Sequence, residues 1–125
     1  MGLNRMMMKN GNPKDVFIAY IDRTIRQFED NALTTVGITA FYDCSSLTSI
    51  DLPKVITVKS NAFSSCSSLT SINLPKVTTV GSYAFYDCRS LKEIHFAAKN
   101  KEAIEALSDY SNKFGATNAT IYFDI

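Results

Sequence analysis

The chain has 125 residues, 46% of them hydrophobic and 20% charged, which fits one globular domain and excludes a disordered or fibrous chain. Thirteen Lys and Arg against twelve Asp and Glu leave a formal charge of +1, so no basic surface is offered to nucleic acid or to an anionic membrane. No apolar run approaches the ~18 residues that spanning a bilayer requires, which excludes membrane insertion through a helix.

Residues 1–15 place three methionines between Arg5 and Lys9 and continue into Asn10-Gly11-Asn12-Pro13. They hold no apolar stretch long enough for a secretory leader and end in turn chemistry, so they read as a flexible N-terminal segment. Whether the chain is a piece of a longer exported or assembled protein stays open at this point.

From residue 40 the sequence repeats. Ala40-Phe41, Ala62-Phe63 and Ala84-Phe85 recur every 22 residues, and residues 40–61 and 62–83 agree at 16 of 22 positions. A third copy runs over 84–98 and drifts after Phe96. Within each period Leu47, Ile50 and Leu52 match Leu69, Ile72 and Leu74, then Leu91, Ile94 and Phe96. The last two of each set alternate about one polar residue, as in a strand with one buried face. Pro53 and Pro75 follow and end those strands, because proline cannot donate to a ladder. Val55 and Val58, with Val77 and Val80, form a second inward pair on a return segment. Counting the alanine, the phenylalanine and the cysteine, each period supplies eight inward positions. One such coil cannot close a core, but stacked coils share one.

The unit Ala-Phe-x-x-Cys-x-x-Leu-x-x-Ile-x-Leu-Pro-x-Val-x-x-Val resembles the leucine-rich repeats of the BspA-like surface-antigen family over residues 33–96. The resemblance implies an α/β repeat solenoid: a short right-handed leucine-rich-repeat coil with a parallel concave β-sheet. It also implies adhesion or protein binding at a bacterial cell surface, in a secreted protein or in a phage-like assembly.

Both ends depart from the unit. Ile25, Phe28, Leu33 and Val36 fall where the repeats place apolar residues, so 16–39 reads as a degenerate N-terminal cap coil. Asp22, Arg23, Arg26, Glu29 and Asp30 then fit an outer face turned to water. At the other end, 99–125 reads as a C-terminal cap. Ala103, Ile104 and Leu107 make the apolar stripe of a short helix within 99–109, replacing a return segment. Ile121-Tyr122-Phe123 mirrors Ile94-His95-Phe96 and predicts a last strand beside the third repeat.

The residues with chemistry are few. Cys44, Cys66 and Cys88 stand at one repeat position, so they stack as reduced, buried thiols; structural zinc takes four ligands, usually with close pairs, and none occur. No metal and no cofactor is expected. His95 and Glu93 could form an acid/base couple, but no nucleophile motif stands near them, so the chain reads as non-enzymatic. Asn118-Ala119-Thr120 fits a glycosylation acceptor and reads as a chance match.

What remains is the exposed face of the strands: Gln27 and Glu29, Ser49 and Asp51, Ser71 and Asn73, Glu93 and His95, then Tyr122, with Lys54 and Lys76 at the rim. The expected function is a protein-interaction or adhesion module that meets a protein or cell-surface ligand there. Five strands offer about 400 Å², half the ~800 Å² that one partner gives a standard interface, so binding would be weak singly and gain from multivalent display. The alternatives are a structural, self-assembling component, with a homo-oligomer as its sign, and carbohydrate binding around Tyr122, His95 and Glu93.

Overall fold

A computed structural model describes residues 22–125, together with the backbone of Met8–Lys9 and Asn12–Val16. Apart from those two short strands, the expectation of a flexible segment over 1–15, and the opening residues of the 16–39 coil, lie outside the described residues.

The strands run in chain order β1 (Met8–Lys9), β2 (Asn12–Val16), β3 (Gln27–Glu29), β4 (Thr35–Val36), β5 (Ser49–Asp51), β6 (Thr57–Val58), β7 (Ser71–Leu74), β8 (Thr79–Val80), β9 (Glu93–Phe96) and β10 (Thr120–Phe123). Apart from β1, which lies antiparallel to β2, they form a parallel β-solenoid with two ladders. On the return side the order is β1-β2-β4-β6-β8, in which Thr35, Thr57 and Thr79 pair in succession, as do Val36, Val58 and Val80. On the other side β3 pairs with β5, and β7 pairs with β9 and then β10. Each of these pairings carries a 22-residue offset until β10, where Ile121, Tyr122 and Phe123 align with Ile94, His95 and Phe96 as the sequence predicts.

One period shows why the chain coils. Alternation along Ser71–Leu74 turns Ile72 and Leu74 inward and leaves Ser71 and Asn73 exposed. Pro75 then takes the second position of a tight turn that closes with Val77 N–H donating to the Leu74 carbonyl at 3.4 Å, and Pro53 does the same between Leu52 and Val55. After β6 the chain turns again through Asn61 and Ser65, whose φ angles of 57° and 63° are left-handed. There Phe63 N–H donates to the Ala84 carbonyl and Ser65 N–H to the Tyr86 carbonyl, tying each corner to the next coil. All eight inward positions of the middle repeat, from Ala62 to Val80, are buried.

The core is a set of columns through the stack. The rings of Phe41, Phe63 and Phe85 pile parallel at 5.2 and 5.4 Å, and Phe28 meets Phe41 edge-on. The cysteines form a second column, buried and unpaired as disulfides. Cys66 Sγ donates to the Phe41 carbonyl at 3.1 Å and Cys88 Sγ to the Phe63 carbonyl at 3.0 Å. A small apolar side chain with one weak donor fills this position and satisfies a carbonyl of the preceding coil.

Three expectations about the ends need correction. Asp30 does not face water: it is 4% exposed, at the position the repeats give to leucine. Its carboxylate accepts from the N–H groups of Ala32 (2.8 Å) and Leu33 (3.0 Å), so an aspartate-held turn replaces the proline turn of later coils. The helix is shorter than 99–109, with α1 at Lys101–Glu105 behind a 3-10 turn at Ala98–Asn100. Ile104 is buried and Leu107 partly so, but Ala103 is exposed, because a helix this short presents only one side to the core. As expected, α1 packs on β8 where a further return strand would lie.

The C-terminal cap also satisfies donors that a further coil would have met. Phe85 N–H donates to the Phe114 carbonyl at 2.8 Å, and Tyr83 N–H to the Asp109 carboxylate at 2.9 Å. Phe114 is itself fully buried, inside a 3-10 segment at Tyr110–Gly115.

Candidate functional site

The exposed side of the strands carries the residues that the period assigns to it. Gln27 lies opposite Ser49 and Glu29 opposite Asp51. Ser71 lies opposite Glu93 and Asn73 opposite His95, while Tyr122 pairs with His95 on the other edge of β9. All nine are exposed except His95, which is half-buried. Two blocks thus form: a polar pair of strands, β3 with β5, and a three-strand block ending in aromatic and charged groups. β5 and β7 are neighbours without a paired ladder between them.

The three-strand block holds the densest chemistry. The His95 ring stacks on Tyr122 at 4.9 Å with 12° between planes. Its Nδ1 lies 2.9 and 3.0 Å from the two carboxylate oxygens of Asp124, and its Nε2 lies 2.8 Å from Glu93 Oε1. A neutral imidazole has one N–H and can donate to one side only, whereas the protonated ring donates to both. The Asp124 hydrogen bond, with a smaller contribution from Glu93, therefore raises the His95 pKa above its usual 6.5 against the opposing effect of partial burial. Sequence reasoning brought Glu93, His95 and Tyr122 together but missed Asp124, 29 residues from His95 and outside any repeat position. With both ring nitrogens on carboxylates, neither is left free to act as a base toward another group.

Elsewhere the chemistry is subdued. Burial pushes the Cys88 thiol up to about 12 and raises Cys66 and Cys44 as well, the last opposed by the guanidinium of Arg23. Among the described residues no group of three or more His, Cys, Asp or Glu could hold a metal ion. No helix among them is long and apolar enough to cross a membrane. A groove of about 410 Å³ opens between the third repeat and the C-terminal cap, lined among others by Tyr83, Tyr86, Asp87 and Arg89.

A parallel solenoid of stacked 22-residue coils, with one polar strand face and shared columns of Leu, Phe and Cys, defines a leucine-rich repeat protein. The family described as the BspA type leucine rich repeat region (6 copies) matches residues 20–115, and the chain belongs to that family. Comparison with curated proteins gives no match, and comparison with solved structures gives none. Repeats of this family point to a protein-interaction module.

Proposed function

We propose that the chain is a non-enzymatic interaction module whose strand face, from Gln27 to Tyr122, meets a protein partner. The supporting observation is the register: polar side chains stand opposite one another across β3 and β5, and across β7, β9 and β10, on a backbone held by full-depth packing. A rigid row of short side chains loses little entropy on contact. With strands of three or four residues the face measures about 300 Å² at ~3.3 Å per residue and ~4.8 Å per strand. That is well below a standard interface, so one copy binds weakly and adhesion follows from display in several copies.

The test is a triple variant, Asp51→Lys, Asn73→Lys and His95→Ala, displayed as tetramers beside wild type against cell-surface protein preparations. Loss of capture with an unchanged fold supports the proposal; unchanged capture overturns it. A second reading, self-assembly, draws on one observation. Among the described residues β10 ends its sheet, so one side of its backbone ladder is open to another strand. Light scattering during gel filtration across a wide concentration range decides it: a mass that stays monomeric rejects self-assembly.

A further inference from the structure

We infer that the groove between the third repeat and the C-terminal cap is a binding site for a neutral oligosaccharide, distinct from the strand face. Its position follows from how the solenoid ends. At each corner three N–H groups donate to the next coil: Thr39, Phe41 and Asp43 reach Ser60, Ala62 and Ser64, and Asn61, Phe63 and Ser65 reach Ser82, Ala84 and Tyr86. In the third repeat the cap replaces two of these partners, Asp109 for Tyr83 and Phe114 for Phe85. For Asp87 N–H the described residues supply none, and Asp87 is a wall of the groove. A backbone donor is left there for the oxygen of a ligand.

Two of the side chains around that donor, Tyr83 and Arg89, depart from both earlier coils. Tyr83 stands where the preceding coils carry Thr39 and Asn61, and Arg89 where they carry Ser45 and Ser67, while Tyr86 and Asp87 repeat Tyr42 and Asp43 and differ only from Ser64 and Ser65. All four residues line the groove. Tyr83 and Tyr86 are 49% and 54% exposed and meet edge-to-face at 5.7 Å, so neither ring is in place to fill the core. Tyr83 also holds a left-handed φ of 59°, a conformation that Asn tolerates better than Tyr. An exposed aromatic kept at a strained position in place of the favoured residue points to a use for the ring.

The chemistry selects the ligand class. Aromatic faces stack on the C–H face of a sugar ring, while carboxylate, guanidinium and amide groups bond its hydroxyls. Asp87 is held in place by Arg89 Nε at 2.8 Å and Ser65 Oγ at 3.2 Å. Most of the exposed Arg89 guanidinium is left over for a ligand, and Asn112, Thr117 and Asn118 add polar groups on the cap side. The Asp87–Arg89 pair cancels in charge, which favours a neutral sugar over an acidic one. The volume lies in the range of small-ligand sites, and the polar lining suits hydroxyls better than an apolar side chain.

The test is a printed array of neutral and sialylated glycans, followed by amide chemical-shift titration with the strongest neutral glycan on it. The expected result is neutral-glycan binding with shifts confined to residues 83–89 and 112–118. Tyr83→Asn with Tyr86→Ser installs the residues found 22 positions earlier, Asn61 and Ser64, so the fold is kept, and affinity should fall about tenfold or more, a loss of ~1.4 kcal/mol. His95→Gln on the strand face should leave glycan affinity unchanged, which separates this site from the protein-binding proposal. An array blank for neutral glycans, binding of sialylated glycans alone, shifts centred on His95 and Tyr122, or full affinity in the double variant each overturns the inference.

Discussion

The rings of Phe41 and Phe63 lie 2° from parallel with centroids 5.2 Å apart, one coil directly above the other. The spacing is close to the ~4.8 Å between neighbouring strands, so the ladder sets the stack and the rings fill it. Phe63 has a ring on each side, since Phe85 continues the column at 5.4 Å, and it is fully buried. Phe63→Ala removes the ring at the centre of the column and leaves a cavity that neither coil can close. The expected cost is about 3–5 kcal/mol, much of the ~5–15 kcal/mol that holds a domain folded. Urea unfolding of the variant should show a large loss; a midpoint near that of wild type would contradict the packing described.

The corner turns give a pair of predictions with opposite signs. Thr39 has a φ of 56°, 22 positions before Asn61, whose φ is 57°. A β-branched residue pays more for the left-handed region than Asn does, so Thr39→Asn should stabilise by about 0.5–1 kcal/mol. Gly115 has a φ of 92°, and a Cβ there would stand 2.8 Å from Tyr86 Cα. Since backbone cannot swing aside as a side chain can, Gly115→Ala should destabilise by about 1–3 kcal/mol. Thermal melting of the two variants should move in opposite directions.

What could be read from the sequence follows where the period reaches. Leu47, Leu69 and Leu91 each had two internal counterparts, and all three are fully buried. The register of Tyr122 on His95 was legible from the apolar residues on either side of each, and β10 adopts it. Where the period fails, local composition misleads. Asp30 looked like a surface charge, but its Oδ1 accepts from the N–H groups two and three residues on, a local aspartate turn buried where the period places a leucine. Phe114 escaped notice among turn residues, although it is fully buried and its carbonyl caps Phe85. Its one signal was the adjoining Gly115, the residue type that a left-handed close approach requires. Asp124 stands two residues past Tyr122, so the same alternation that sets Tyr122 beside His95 sets Asp124 diagonally from it, a relation of the register and not of the repeat.

The cysteine column predicts thiols that do not react. All three are buried, with Cys66 and Cys88 donating to carbonyls of the preceding coil. Burial raises each thiol above its ordinary value, so the thiolate needed for attack is scarce near neutral pH. A disulfide-exchange reagent such as Ellman's should label none of them in the folded protein and all three in denaturant. Rapid labelling of the native protein would show that the column is open.

His95 predicts how stability varies with pH. Asp124 first, and Glu93 second, raise its pKa above 6.5, so the folded protein binds this proton more tightly than the unfolded chain does. The resulting stabilisation is complete below the unfolded value of about 6.5 and is lost as pH rises through the higher folded value. His95→Gln keeps a polar side chain on β9 but carries no titrating charge between the two carboxylates. The stability advantage of wild type over this variant should therefore be full just below the unfolded value of about 6.5 and shrink as pH rises above it. Because Glu93 and Asp124 are half-exposed, the difference should also weaken in high salt. Urea unfolding of both proteins across that pH range measures it. An advantage that grows with pH would mean that the ring is held neutral, with only one of its nitrogens donating.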